Sequence, residues 1–419
     1  MILLLKELNM NRVLLAFSFL LFPSLALPRD KMPVIDFSKE LNSSRKADGN
    51  LNLRWNSTYR LFEVGKEAFS SFNLSSSGKI GRYSNAIFDA EVYTNSNRGS
   101  KLTPRLHELL YGLQYRSLEL SAGIQKFDWG QMDFFSPANQ LAAVDYSKGI
   151  SGDFKSPLRG SPALRMKLTS SFSYIEVIYR PFAEIHLLPG TGSPWDKISS
   201  TLAFIPGAGA QEQDRQYGGQ GVRLAANIAS MGLKLIHYSG YESFQIDDQN
   251  PIATQPTALE YNALAVDFGL GAFIAKGELA SGVRNIYYLS PVQIMEEEAS
   301  FQAMSIGLDY SVDPLSFSLE ASHLVLNSKN ESLLPIFKGK DSLSAQSTLS
   351  LIDGDLLLSV IGQKAISEDE RLLVLKGEVL ISETIGLEFG YVNFTGPDSS
   401  LFGQFKLQEH FYTQVKVRF

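Results

Sequence analysis

The feature that most constrains this chain is a two-residue rhythm of apolar and polar side chains, recurring from about residue 51 to residue 419. Successive side chains of a strand point to opposite faces, so each such segment has one greasy face and one wet one. Leu343, Ala345, Ser347, Leu349 and Leu351 alternate with Ser342, Ser344, Gln346, Thr348 and Ser350 ahead of a turn at Asp353-Gly354, and another apolar strand follows. Phe301–Tyr310 turns at Asp313-Pro314 into Leu315–Leu326, and Arg371–Ile381 turns at Ser382-Glu383 into Thr384–Thr395. Each hairpin has one tight end and one long polar end.

No internal run approaches the ~20 apolar residues of a membrane-spanning helix. With a hydrophobic fraction of 44% and a mean hydropathy of -0.04, the chain is too polar for a helical membrane protein. A transmembrane β-barrel hides its greasiness, because only alternate residues touch lipid. The rhythm places strands near 51–62, 68–76, 82–94, 104–116, 118–127, 162–169, 172–180, 220–228, 231–241, 258–268, 272–282, 300–310, 315–326, 342–352, 355–364, 370–381, 384–395 and 408–418. The expected fold is therefore all-β: an antiparallel up-and-down barrel of about 18 strands, with 16 as the alternative, since antiparallel closure requires an even number. The segment 68–76 is the weakest strand. Short turns belong to the periplasmic end and long loops to the outside. That makes roughly 128–161, 181–219, 242–257, 283–299, 327–341 and 396–407 external, with both chain ends periplasmic. A secreted β-sandwich or β-helix also alternates, but does not explain the tight-long pairing of connections.

Near the amino terminus Arg12 precedes the apolar run Val13–Phe22, Pro23 breaks it, and Ser24-Leu25-Ala26 offers small residues for cleavage. Residues 1–26 thus read as a secretory signal peptide, 27–50 as a polar periplasmic segment and 51–419 as the barrel. Met10 is an alternative start, because Asn11-Arg12 then forms an ordinary basic n-region. There is no cysteine, so neither disulfides nor thiolate metal sites arise. A formal net charge of -6 without a strongly basic segment argues against nucleic acid as a partner.

Phe411, Val415, Val417 and Phe419 fall on one face of the last strand and Gln414, Lys416 and Arg418 on the other. This ending resembles the closing strand of bacterial outer-membrane β-barrels, where a terminal Phe with alternating apolar residues is the signal read by the barrel-assembly machinery. A second resemblance runs from Gly123 to Pro194. Gly123-Ile124-Gln125, Trp129-Gly130-Gln131-Met132-Asp133, Pro137, Asp145, Arg159, Pro162-Ala163-Leu164, Tyr179-Arg180-Pro181 and Gly192-Ser193-Pro194-Trp195 resemble poorly characterised proteobacterial porin-like proteins. The resemblance covers about a sixth of the chain. It implies a porin-type barrel whose long loop folds into the channel, in contact with outer-membrane lipid and lipopolysaccharide. Trimers are common in that class, though no interface shows in the sequence.

The side chains opposite the apolar rows give a lumenal set: Asp89, Glu91, Glu108, Arg116, Glu119, Gln125, Arg165, Lys167, Glu176, Arg180, Arg223, Lys234, Lys276, Glu278, Glu320, Lys376, Glu378 and Glu388. Charges at bilayer depth are tolerable only where they face water or an opposite charge. Lys276-Gly277-Glu278 and Lys376-Gly377-Glu378 share a pattern, with Lys and Glu inward and Gly outward. They read either as a charged wall screening solutes or as ion pairs holding strands in register. If Arg165, Lys167, Arg180, Arg223 and Lys234 face Asp89, Glu91, Glu108 and Glu119 across the lumen, a transverse field results. The loop carrying Trp129, Gly130, Asp133, Phe134, Phe135, Pro137, Leu141, Val144 and Asp145 is the candidate constriction. Its apolar groups could pin it to the inner wall, and the other reading is an outward cap, with Trp129 anchored at the membrane interface or packed on the loop base.

Catalytic groupings are not evident. His107, His186, His237, His323 and His410 form no pair at metal-ligand spacing. HExxH and Gly-x-Ser-x-Gly motifs are absent, and Lys340-Asp341-Ser342-Leu343 is a poor match to a hydrolase block. Asp247-Asp248 and Glu296-Glu297-Glu298 lie in expected loops, where solvated charge is the ordinary reading and hard-cation binding the alternative. The expectation is a passive channel for small hydrophilic solutes, with no cofactor or reaction. A non-conducting barrel or a barrel hydrolase stands behind it.

Overall fold

In the computed structural model, side chains of opposite character separate onto two faces of one continuous sheet. The described residues are 48–62, 65–80, 83–95, 102–145, 158–184, 195, 218–242, 257–289, 294–328, 340–366, 369–398, 400 and 402–418. The expected signal peptide, Asp247-Asp248 and Phe419 lie outside them.

The strands are β1 (Asp48–Phe62), β2 (Gly65–Lys79), β3 (Ser84–Asn95), β4 (Thr103–Tyr115), β5 (Leu118–Gln125), β6 (Ser161–Thr169), β7 (Ser173–Arg180), β8 (Gly219–Ile228) and β9 (Met231–Glu242). They continue as β10 (Thr257–Leu270), β11 (Phe273–Leu289), β12 (Ile294–Val312), β13 (Leu315–Asn327), β14 (Lys340–Leu351), β15 (Leu356–Ala365), β16 (Glu370–Leu380), β17 (Ile385–Thr395) and β18 (His410–Arg418). Each pairs antiparallel with its sequence neighbours, and β1 pairs with both β2 and β18, closing an 18-stranded sheet on itself. The alternative of 16 is thereby excluded. The weakest expected strand, 68–76, is the core of β2.

Tight connections lie at one end, where Arg116, Ala229 and Asp353 take the left-handed conformation that two-residue and other short hairpin turns demand. The long connections, such as those between β5 and β6, β7 and β8, and β9 and β10, lie at the other end, where β1–β2 and β15–β16 are joined by short links. One expectation fails here. The segment 283–299 is mostly strand rather than loop, because β11 runs to Leu289 and β12 begins at Ile294. Glu297 and Glu298 therefore sit in the ladder opposite Ile286 and Asn285, not in an open acidic loop. Asn285, Ser300 and Gln302 keep the two-residue alternation with polar groups beyond the apolar belt, and the ladder continues through them.

The register decides which face is which. Ile306, Met304, Leu319, Leu343, Val360, Leu375 and Phe389 are exposed and share one parity across β12–β17. The other parity carries Ser305, Glu320, Ser344, Ser359 and Glu388, all buried. A closed sheet with apolar residues outside and polar residues inside is the pattern that hydrocarbon outside and water inside select. Outward rings gather near the short-turn end, as in Phe273 with Tyr310 (4.7 Å) and Tyr310 with Phe317 (5.3 Å), and near the long-loop end, as in Tyr391 with Phe411 (4.7 Å). These are the places of aromatic girdles.

Candidate functional site

All the expected lumenal residues except Arg116 fall on the inner parity. Asp89, Glu91, Glu108 and Glu119 line β3–β5. Arg165, Lys167, Glu176, Arg180, Arg223 and Lys234 line β6–β9. Lys276, Glu278, Lys376, Glu378 and Glu388 follow on β11, β16 and β17. Arg116 instead occupies the β4–β5 turn with φ 54, its guanidinium 5.3 Å from the Tyr115 ring. Alternation alone carries Arg116 inward, but β4 ends one residue before it, at Tyr115.

β3–β5 and β6–β9 are consecutive staves of one wall, so where they meet, between β5 and β6, acid and base are cross-strand neighbours. Arg165 bonds Glu176 (2.8 Å) and lies 3.6 Å from Glu119, while Lys126 bonds Asp89 (2.9 Å) with Glu108 at 3.7 Å. The two Lys-Gly-Glu triplets do not pair internally. Lys276 contacts Asp309 and lies 3.6 Å from Asp133, and Glu378 and Glu388 share Lys416 at 3.1 and 2.7 Å. Cross-strand geometry explains this, because inward neighbours on adjacent strands are closer than residues two apart on one strand.

The segment after β5 turns inward. Phe127, Trp129, Pro137, Ala138 and Leu141 are buried, and Phe127, Trp129, Ala138 and Leu141 pack with Ile178, Ile236, Tyr238 and Tyr261 of the inner wall. Trp129, only 1% exposed, donates from Nε1 to Glu176 at 2.8 Å, with Arg223 5.6 Å from its ring. It is a lumenal anchor rather than a membrane-interface one. Further along, Gln131 and Met132 N–H donate to Glu278, and Asp133 and Phe134 N–H donate to Glu320. Tyr261 and Ser305 hydroxyls donate to the Ala138 and Phe135 carbonyls at 3.1 and 2.9 Å. The return path is held too: Arg180 donates to Leu141 O at 3.1 Å, Arg284 to Gln140 at 2.9 Å, and Asp145 contacts Arg105. Val144 forms a bridge with Leu158. The segment is thus laid along the inner faces of β7 to β13, and the outward-cap reading is set aside. Beside its base, burial pushes the Glu184 carboxyl above its usual range despite Arg159 at 3.3 Å.

A second inward cluster was not legible in the sequence. Trp195, 2% exposed, packs with Leu372, Val374, Val392, Phe394, Phe402 and Tyr412, and Phe134 reaches the same cluster. His410 lies 5.5 Å from its ring and Arg60 5.7 Å. In the sequence Trp195 stands out only as the end of the run Gly192-Ser193-Pro194-Trp195. A lone aromatic in a long loop carries no periodic signal of where it docks.

At the last strand, Phe411 and Val415 are exposed on the outer parity with Val417, and Gln414 and Lys416 point inward. Among the described residues, no group of three or more His, Asp or Glu side chains is arranged to hold a metal ion.

No protein-family model matches the sequence, and no curated protein matches it. Solved structures do. OccAB1 of Acinetobacter baumannii aligns with a TM-score of 0.55 at 9% identity, over 90% of this chain and 98% of that one. OccK5 (OpdH) of Pseudomonas aeruginosa gives 0.52 at 9%, over 89% and 97%, and OccK2 (OpdF) of the same organism gives 0.52 at 11%, over 89% and 97%. At such identities the likeness is one of fold, and the fold is the closed 18-stranded antiparallel barrel.

Proposed function

We propose that this protein is an outer-membrane, porin-type channel for passive diffusion of small hydrophilic solutes, delivered by a cleaved signal peptide and seated among lipid and lipopolysaccharide. The observation that carries the reading is the placement of residues 127–141 on the inward-facing side chains of β7–β13, including Glu176, Glu278 and Glu320. A barrel serving only as an envelope strut has no need of a polar interior with a loop fastened inside it. Solutes would pass between this loop and the remaining wall, screened by width and by Asp128, Arg223, Lys234 and their neighbours. The Phe411, Val415 and Val417 face is the surface we assign to recognition by the assembly machinery, and a homotrimer is the assembly we propose.

A second reading, a barrel sealed by its own loops, draws on the Phe134 and Trp195 cluster against β16–β18. Planar-bilayer recording of the refolded barrel separates the two. Discrete, ohmic conductance steps support the channel; a folded, heat-modifiable barrel that stays silent rejects it.

A further inference from the structure

The segment 131–138 lies inside the barrel with no strand partner, so its backbone donors need acceptors supplied by the wall. An irregular stretch in this position loses free energy for every N–H left without one. Glu278 supplies most of them. Its Oε1 accepts from Gln131 N (2.5 Å) and Met132 N (3.2 Å), and its Oε2 accepts from Ser136 Oγ (2.7 Å) and Ala138 N (3.0 Å). Glu320 continues the series, accepting from Asp133 N (2.6 Å) on one oxygen and Phe134 N (3.0 Å) on the other. Four consecutive backbone N–H groups thus converge on two carboxylates, the arrangement of an anion nest whose anion is built into the wall.

The surroundings fit the same purpose. Gly130 leaves room for Ser136 to turn back, since a Cβ there would stand 1.8 Å from Ser136 Oγ. Gly307, on the inner face of β12, leaves space that both Met132 Sδ and Glu320 Cγ border at 3.3 Å. Glu278 is 2% exposed and forms no ion pair within 4 Å among the described residues, while the nearby Lys276 is engaged by Asp309 and Asp133. The hydrogen bonds from the loop are what satisfy this buried carboxylate.

We infer that Glu278 and Glu320 are positioning residues that hold the loop at residues 131–138 and so set the limiting cross-section of the channel. This rests on the channel reading given above. Carboxylate chemistry is required, because an amide in the same place turns an NH₂ group toward donors and loses half its acceptors.

The test uses the full-length refolded barrel and E278Q, E320Q and the double variant, with E388Q as a control that removes a lumenal carboxylate bonded to Lys416 instead. Amide hydrogen exchange is read at residues 131–134 and 138, alongside bilayer conductance and the size limit for neutral sugars entering liposomes. The expected result is exchange faster by about tenfold or more at those amides in the double variant, unchanged strand amides, higher conductance and a larger size limit, with E388Q matching wild type at those amides and in size limit. Unchanged exchange in a folded double variant overturns the clamp. Altered exchange with an unchanged size limit overturns its role in the cross-section. A silent wild-type barrel defeats the channel reading instead, and the exchange data still decide whether the clamp exists.

Discussion

Replacing Ile306 with Arg tests whether the exposed apolar parity faces hydrocarbon. On β12 the outward side chains are Met304, Ile306, Leu308, Tyr310 and Val312, and Gln302 is the next toward the long-loop end. Eight residue steps at about 3.4 Å, on a strand tilted by roughly 40°, cover about 21 Å along the barrel axis. That is close to the apolar band of about 25 Å on outer-membrane barrels. Leu308 then marks the midplane, Ile306 lies about 5 Å from it, and Gln302 lies about 15 Å from it, beyond the belt. An Arg on the lipid face should cost roughly 2–3 kcal/mol at Ile306 and about 0–1 kcal/mol at Gln302. The first figure is a fall of roughly 30- to 140-fold in the folding constant. Urea-induced unfolding in phospholipid vesicles, followed by tryptophan fluorescence, measures both. Ile306 is 57% exposed, so on a water-facing surface the substitution would change stability by about 0.5 kcal/mol or less. Equal, small costs at 306 and 302 would refute the membrane assignment at its root.

The remaining predictions concern the wall. Within β11, Gly282→Ala should destabilise by about 1–3 kcal/mol or block refolding, because its Cβ would lie 2.1 Å from the Glu260 carbonyl oxygen and 2.8 Å from Tyr261 Cα. Gly277→Ala, five residues away with open space at that position, should stay within about 0.5 kcal/mol of wild type; refolding yield and urea midpoint check the pair, and similar losses at both sites would contradict the register. Glu176→Leu leaves Arg165, Arg223 and the Trp129 N–H without their shared acceptor, at a cost of about 3 kcal/mol. The urea midpoint should fall and Trp129 emission should shift, whereas an unmoved midpoint would show that the cluster is solvated rather than structural.

The barrel was legible because lipid enforces the two-residue period on every stave. A one-residue slip would send Ile306 inward and Ser305 outward, so the inner parity of residues such as Glu176, Glu278 and Glu388 follows from alternation alone. The same logic failed at Arg116, where the strand had ended, and across 283–299, where Asn285, Ser290, Pro291 and the run Glu296-Glu297-Glu298 read as loop although β11 continues to Leu289 and β12 begins at Ile294. Facing rows of charge were not deducible either. Which strands oppose one another depends on the closed order, not on any single segment, and neighbouring strands satisfied each other's charges first.

The destination of the long loop was out of reach for a different reason, which also bears on what the fold leaves undone. Eighteen strands spaced by about 4.8 Å and tilted by roughly 40° enclose a ring with a backbone diameter of about 36 Å. Side chains on the inner wall reach only partway across such a width, so an unaided barrel of this size would be an unselective hole. Narrowing must come from chain that is not strand, and such chain has no period to reveal where it goes. Its acceptors are single carboxylates far along the sequence: Glu278 lies 147 residues after Gln131, and Glu320 lies 187 after Asp133. Alternation marks both as inward but cannot distinguish them from Glu388, which is bonded to Lys416. The difference between a carboxylate that lines a path and one that fixes its width therefore appears only when the loop's N–H groups are seen to point at it, and it is that difference that the E388Q control isolates.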